Sequence, residues 1–246
     1  MACLVCGSEK TIKAHLIPRA FTKEVTTNVG EKHVVSYVSG ERYRTTDTGL
    51  FDDGILCGGC DGKIGQYEGN VFNLLGKIRG AKPRINSILE CDPIDGDMFV
   101  RFASGIAWKY CVTKDAYGRI DIGNYQDVLK EVAFEDKPIP SSIDLAGFFL
   151  QDGTSDVYFY RTPFPDRQNQ VNIVRFSVGG FVFFLKTDRR PNLKLIPEVC
   201  WLRQKKKGGF LVVPAEQFEE WTKHAVARQQ PRLLGYFERM AAKKSL

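Results

Sequence analysis

Cys3-Leu4-Val5-Cys6 stands at the head of the chain and is answered fifty residues later by Ile55-Leu56-Cys57-Gly58-Gly59-Cys60-Asp61; these two stretches decide the fold around them. A C-x-x-C on a tight knuckle aims two thiolates at one point, and two knuckles complete the tetrahedron that Zn²⁺ prefers. Each pair has its small turn residues, Gly7 after the first and Gly58 and Gly59 inside the second. The chain holds seven cysteines in 246 residues. An odd count in a chain of that length does not suit a secreted disulfide framework, and a redox dithiol normally occurs as a single pair opening a helix after a strand. Cys3, Cys6, Cys57 and Cys60 are therefore read as a structural zinc site, and the solitary Cys91, Cys111 and Cys200 as small buried hydrophobes.

Between the knuckles, His15 sits in Ala14-His15-Leu16-Ile17-Pro18 just before a proline stop. The runs 33–38 (HVVSYV) and 41–46 (ERYRTT) predict a hairpin turning through Ser39-Gly40, followed by an acidic, turn-rich stretch over 47–54. After Cys60 the spacing predicts a helix over 61–78, capped by Asp61, with Ile64, Tyr67, Val71, Leu74, Leu75 and Ile78 as its apolar stripe. Knuckle, hairpin, second knuckle and helix make a treble-clef arrangement.

The set Cys3-x-x-Cys6, Ala14-His15-Leu-Ile-Pro18 and Leu56-Cys57-x-x-Cys60-Asp61 resembles the zinc-containing branch of the HNH endonucleases, the ββα-metal nucleases, over about residues 1–80. The continuation Gly65-Gln-Tyr67-Glu68 is similar to bacterial and phage members. The resemblance implies that His15 is the general base, a choice that suits an imidazole titrating near neutral pH. It also implies a second metal, a Mg²⁺-like ion bound by the residue before the base and the residue after the last cysteine. The second position is Asp61, an oxygen ligand; the first is Ala14, which binds nothing, so Asp52, Asp53 or Glu68 must complete the set. The family's base-orienting Asn falls near Asp52 or Asp53. His33 and His224 receive no role.

Composition agrees with a globular protein, at 43% hydrophobic and 26% charged residues, and the longest apolar runs, such as 178–185, fall far short of a membrane span. The N-terminus offers no signal-peptide segment, so the expected address is cytoplasmic. The net charge of +6 is carried by the C-terminal part, with 12 basic and 12 acidic residues up to position 95 and 23 against 17 beyond it. Such a balance suits a polyanion, and the resemblance implies that it is a nucleic acid, in particular DNA. Lys77, Arg79, Lys82 and Arg84 follow the helix with no intervening acid and are the candidate phosphate contacts. A second basic run, 203–207, reads as a loop between two strands.

Residues 96–246 read as an α+β domain with an antiparallel sheet and C-terminal helices, separate from the zinc module of 1–95. Helices are expected over 97–113, 125–132 and 215–228 and from Pro231 to Lys243-Lys244; strands over 144–150, 156–161, 170–178 and 181–187, with edges at 193–197 and 209–213. The Gly179-Gly180 turn marks a hairpin. This part is expected to hold or select what the zinc module cuts, or to bind a protein partner or a second copy of the chain. The sequence thus points to a metal-dependent endonuclease, in phage biology or antiphage defence by the resemblance. The alternative is a catalytically degenerate zinc scaffold that still binds nucleic acid.

Overall fold

The computed structural model describes residues 2–25, 33–36, 43–46, 48–152, 159–229 and 231–244. In chain order they form β1 (Ala14–His15), α1 (Arg19–Glu24), β2 (His33–Ser36), β3 (Tyr43–Thr46), β4 (Phe51–Asp52), α2 (Gly58–Gly80), β5 (Ser87–Cys91), α3 (Gly96–Val112), α4 (Tyr125–Phe134), β6 (Ile143–Gln151), β7 (Arg161–Gln168), β8 (Val171–Val178), β9 (Phe181–Thr187), β10 (Gly208–Pro214), α5 (Glu219–Arg228) and α6 (Pro231–Lys244). The class is α+β.

The sheet has six strands in the order β5-β10-β6-β9-β8-β7, and it is mixed rather than wholly antiparallel: β10 runs parallel to β6 and antiparallel to β5. The expected edge at 209–213 is therefore an interior strand, and the expected edge at 193–197 is loop leading to a 3-10 turn at Glu198–Cys200. Half of the expected strand at 156–161 lies outside the described residues; in the described half Phe159 and Tyr160 are not strand, and β7 begins only at Arg161. β2 pairs with β3 antiparallel, while the Ser39-Gly40 turn lies outside the described residues.

Successive side chains of a strand face opposite ways, so a sheet covered on both sides needs an unbroken apolar run. In β9, Phe181, Phe183 and Leu185 enter one core, and Val182 and Phe184 the other. The first core is closed by α2, α3 and α4, with Phe102 of α3 against Phe176 and Phe183. It gathers residues from Cys3 to Val212. The second holds Trp201, Leu193, Ile196 and Ala215, with Phe218 packed on Phe148. Gly147 makes this fit possible, because a Cβ there would lie 2.5 Å from the Phe210 ring.

α3 is capped as its sequence dictates, the Asp95 carboxylate accepting from the Met98 amide at 3.1 Å. α2 departs from expectation. It starts at Gly58 with Cys57 as N-cap, so Asp61 lies inside the first turn and caps nothing, although Ile64, Val71, Leu75 and Ile78 are buried as the stripe requires. The C-terminal helix of 215–228 is likewise shorter, a 3-10 turn preceding α5. Run 203–207 follows that turn at 198–200 rather than a strand, and its charges are partly spent: Lys205 pairs with Glu198, and Lys207 with Glu90 and Asp92. Among the described residues no helix is long and apolar enough to cross a membrane.

Candidate metal centre and the His15 cluster

The first knuckle is a tight turn in which the Gly7 amide donates to the Cys3 carbonyl at 2.9 Å, with Gly7 at a positive φ of 76°. Backbone bonds from Leu4 to Ile55 (3.0 Å) and from Ile12 to Leu56 (2.9 Å) tie this segment against the second knuckle. As a result the four thiol sulfurs of Cys3, Cys6, Cys57 and Cys60 all lie within 4.8 Å of one another, and those of Cys6 and Cys57 are 3.6 Å apart. Sulfurs around one tetrahedral zinc stand about 3.8 Å apart. The set is positioned to hold a metal ion and its spacing is compatible with structural zinc.

Two of the four thiols are also electronically prepared. Burial opposes ionisation of Cys3, yet the backbone amides of Cys6, Val5 and Cys57 that face its sulfur bring its pKa down to about 6. Cys57 is lowered, chiefly by the Cys60 amide, while burial raises Cys60. The solitary cysteines differ: burial pushes Cys111 up to about 12 and Cys200 to about 11, as inert core thiols require. Cys91 is only half-buried on the edge strand β5, a correction to its reading as a core residue.

His15 lies on β1, whose partner across an antiparallel two-residue ladder is β4, with His15 opposite Phe51 and Ala14 opposite Asp52. The ring is half-buried and meets Phe51 edge-on at 6.3 Å between centroids. Its Nε2 is buried and has no hydrogen-bond partner among the described residues. Burial, then the charges of Lys109 and Arg19, lower the pKa of His15 from its ordinary 6.5, with Glu68 acting in the opposite sense.

Lys109 organises this corner. Reaching in from α3 with 1% exposure, its Nζ donates to the His15 carbonyl at 2.7 Å and pairs with the Glu68 carboxylate at 2.9 Å. Asp61, half-buried one α2 turn-pair before Glu68, feels the same two neighbours: burial and Glu68 raise its pKa and Lys109 lowers it. Two of the expected residues, Glu68 through its carboxylate and His15 through its backbone carbonyl, thus meet one lysine, whose charge also acts on Asp61. Nothing in the sequence announced Lys109, whose partners are 41 and 94 positions away.

Asp52 and Asp53 are not in this group. Asp52 is 2% exposed, and its carboxylate accepts from the Gly54 amide at 2.9 Å and the Thr113 hydroxyl at 2.7 Å, which makes it a turn-and-helix lock. Asp53 is exposed and paired with Lys114 at 3.0 Å; that hydrogen bond lowers its pKa. Of the basic candidates, Lys77, Lys82 and Arg84 are exposed, but Arg79 turns inward to the Glu24 carboxylate and the Gly179 carbonyl.

The residues present do not fit a second, divalent ion beside His15. Ala14 is wholly buried and brings only a methyl group, and Glu68 is already engaged by an ammonium. Among the described residues, the four cysteines form the one set of three or more potential ligands close enough to share an ion. Comparison with protein-family models, curated proteins and solved structures finds no match.

Proposed function

We infer that the chain is an HNH-like nuclease: a zinc-stabilised treble clef, built by the two knuckles, the β1/β4 ladder and α2, that hydrolyses phosphodiester bonds, with DNA as its substrate. The observation that carries this reading is the buried Nε2 of His15, without a partner among the described residues, in the field of the Lys109, Arg19 and Glu68 charges. A buried polar atom without a partner costs about 1–3 kcal/mol, and such a cost persists where the atom has work to do. Lowered below 6.5, the imidazole is neutral at pH 7 and ready to accept a proton. Water attacks phosphorus as His15 takes its proton; the new P–O bond forms, the ester P–O bond breaks, and the leaving alkoxide is protonated by solvent. Lys77, Lys82 and Arg84 would follow the phosphate backbone without reading bases. A cytoplasmic setting, in which the thiols stay reduced, and a part in phage biology or antiphage defence belong to the same reading.

The competing reading, a zinc scaffold that binds nucleic acid without cutting it, is favoured by Ala14. Plasmid nicking separates the two. Wild-type nicking lost at least about a hundredfold in His15→Ala, with zinc content unchanged, supports the nuclease. Retention of DNA without nicking by the wild type leaves the scaffold.

A further inference from the structure

Where β9 runs into the turn that follows it, Thr187, Asp188, Arg189 and Arg190 line a cleft of about 320 Å³ together with Asn172 of β8 and Tyr125, the first residue of α4. That volume stands at the lower end of small-ligand sites, about 300–1,000 Å³. The turn is held from several sides. The buried Asp188 carboxylate accepts from the Asn172 amide at 3.0 Å, the Arg190 amide at 2.8 Å and the Arg190 guanidinium at 3.1 Å. The Asp188 amide donates to the Ser142 carbonyl at 3.0 Å, and the ammonium of the buried Lys186 donates to the Arg190 carbonyl at 2.9 Å.

The one acid of the cleft is thereby occupied, and what the wall offers is an excess of donors. Both side-chain bonds of Arg190, to Asp188 and to the Gln170 carbonyl, use Nη1, so the guanidinium is fixed while its Nε and Nη2 have no partner among the described residues. The Arg189 guanidinium has none among them either. Thr187 is 3% exposed, yet its hydroxyl makes no hydrogen bond among the described residues; a buried hydroxyl left unpaired on a cleft wall calls for a partner from outside the chain. Guanidinium forks match the oxygens of a phosphate. Tyr125 adds an aromatic ring on which a planar base can stack, and Asn172 an amide with both donor and acceptor for a base edge.

We propose that this cleft binds a nucleoside phosphate, with Arg189, the open edge of Arg190 and the Thr187 hydroxyl on the phosphate oxygens and the base at Tyr125 and Asn172. The proposal goes beyond the nuclease reading and does not depend on it. The same chemistry is offered by a free mononucleotide and by a nucleic-acid strand, and the test separates the two.

The zinc-loaded full chain is titrated in a calorimeter at low salt with adenosine 5′-monophosphate, ribose 5-phosphate, adenosine, and a deoxyadenosine tetranucleotide without terminal phosphates. The tighter of the monophosphate and the tetranucleotide identifies the source, and either is expected to bind once per chain. Arg189→Ala should weaken that binding about fivefold or more, and Thr187→Val about twofold or more, as the loss of a charged and of a neutral hydrogen bond to the ligand requires. Neither substitution breaks a side-chain bond within the described residues, so urea midpoints should stay at the wild-type value and the lost affinity reads as a lost ligand contact. Lys10→Ala, which removes the same charge from an exposed site elsewhere, should leave Kd within about twofold. Absence of saturable binding of both the monophosphate and the tetranucleotide up to about 10 mM overturns the proposal, as do smaller losses in Arg189→Ala or an equal loss in Lys10→Ala. So does a monophosphate that adenosine matches, which denies the phosphate contact, or that ribose 5-phosphate matches within about twofold, which denies the base.

Discussion

Cys57→Ser puts the metal centre to its most direct trial. A structural zinc contributes an apparent ~10–16 kcal/mol, which matches or exceeds the ~5–15 kcal/mol net stability of a whole domain. Without the ion, the segment before β1 is left with the two backbone bonds to Ile55 and Leu56, together worth about 1–3 kcal/mol, and the burial of Cys3. A Cys3 thiol with a pKa of about 6 would also be ionised at neutral pH with no cation to face. The loss should stay local, because α2 keeps Ile64, Val71, Leu75 and Ile78 in the core. The expected outcome is about one zinc per wild-type chain and little in the variant, with faster trypsin cleavage at the exposed Lys10 and Lys13 and a nearly unchanged far-ultraviolet circular dichroism spectrum. A wild-type chain purified without metal, or a variant whose zinc content and trypsin sensitivity equal those of the wild type, would refute the reasoning.

Two further outcomes follow from the charges. The lowered pKa of His15 means that between its native value and 6.5 the unfolded chain binds the proton first, so unfolding free energy should fall as pH drops from 6.5; urea midpoints at pH 7 and 5 should differ less in His15→Gln, and kcat/KM should keep its acid limb below 6.5. An acid limb above that value would exclude His15 as the base. Lys82→Ala and Arg84→Ala should each lower the slope of log K against log salt for DNA binding by about 1, whereas Arg79→Ala, which strips the partially buried Glu24 of its ion-pair partner, should lower the urea midpoint and leave the slope alone. Equal slope changes for all three would place Arg79 on the phosphates.

What the sequence revealed is what chemistry imposes locally. Four thiolates must converge to share a metal, and the α2 stripe follows from helical period, so both were legible. The start of α2 was not, because Gly58 and Gly59 read as turn residues although a cysteine N-cap opened the helix one turn early. β7 was missed because Pro163 and Pro165 argue against a strand; as the sheet's outer strand, irregular in register between Arg161 and Phe164, it tolerates them. β10 was misjudged as an edge although Phe210, Val212 and Val213 form the kind of apolar run a covered strand carries. Lys109 was illegible for another reason: its meaning lies in residues from two other elements, and no local pattern encodes that meeting.

The position of β10 also bears on how the chain is made. β5 touches the sheet through β10 alone among the described strands, and its Cys91 waits for Gly208, 117 positions later. At a synthesis rate of about 5–20 residues per second, that is roughly 6–23 s during which Ile88 and Leu89 have no strand beside them on the ribosome. The stretch joining the cysteine knuckles to the sheet is therefore among the last to lock. A chain stopped before residue 208 would carry its cysteines and His15 but leave an open strand edge, the kind that recruits chaperones or other copies of itself.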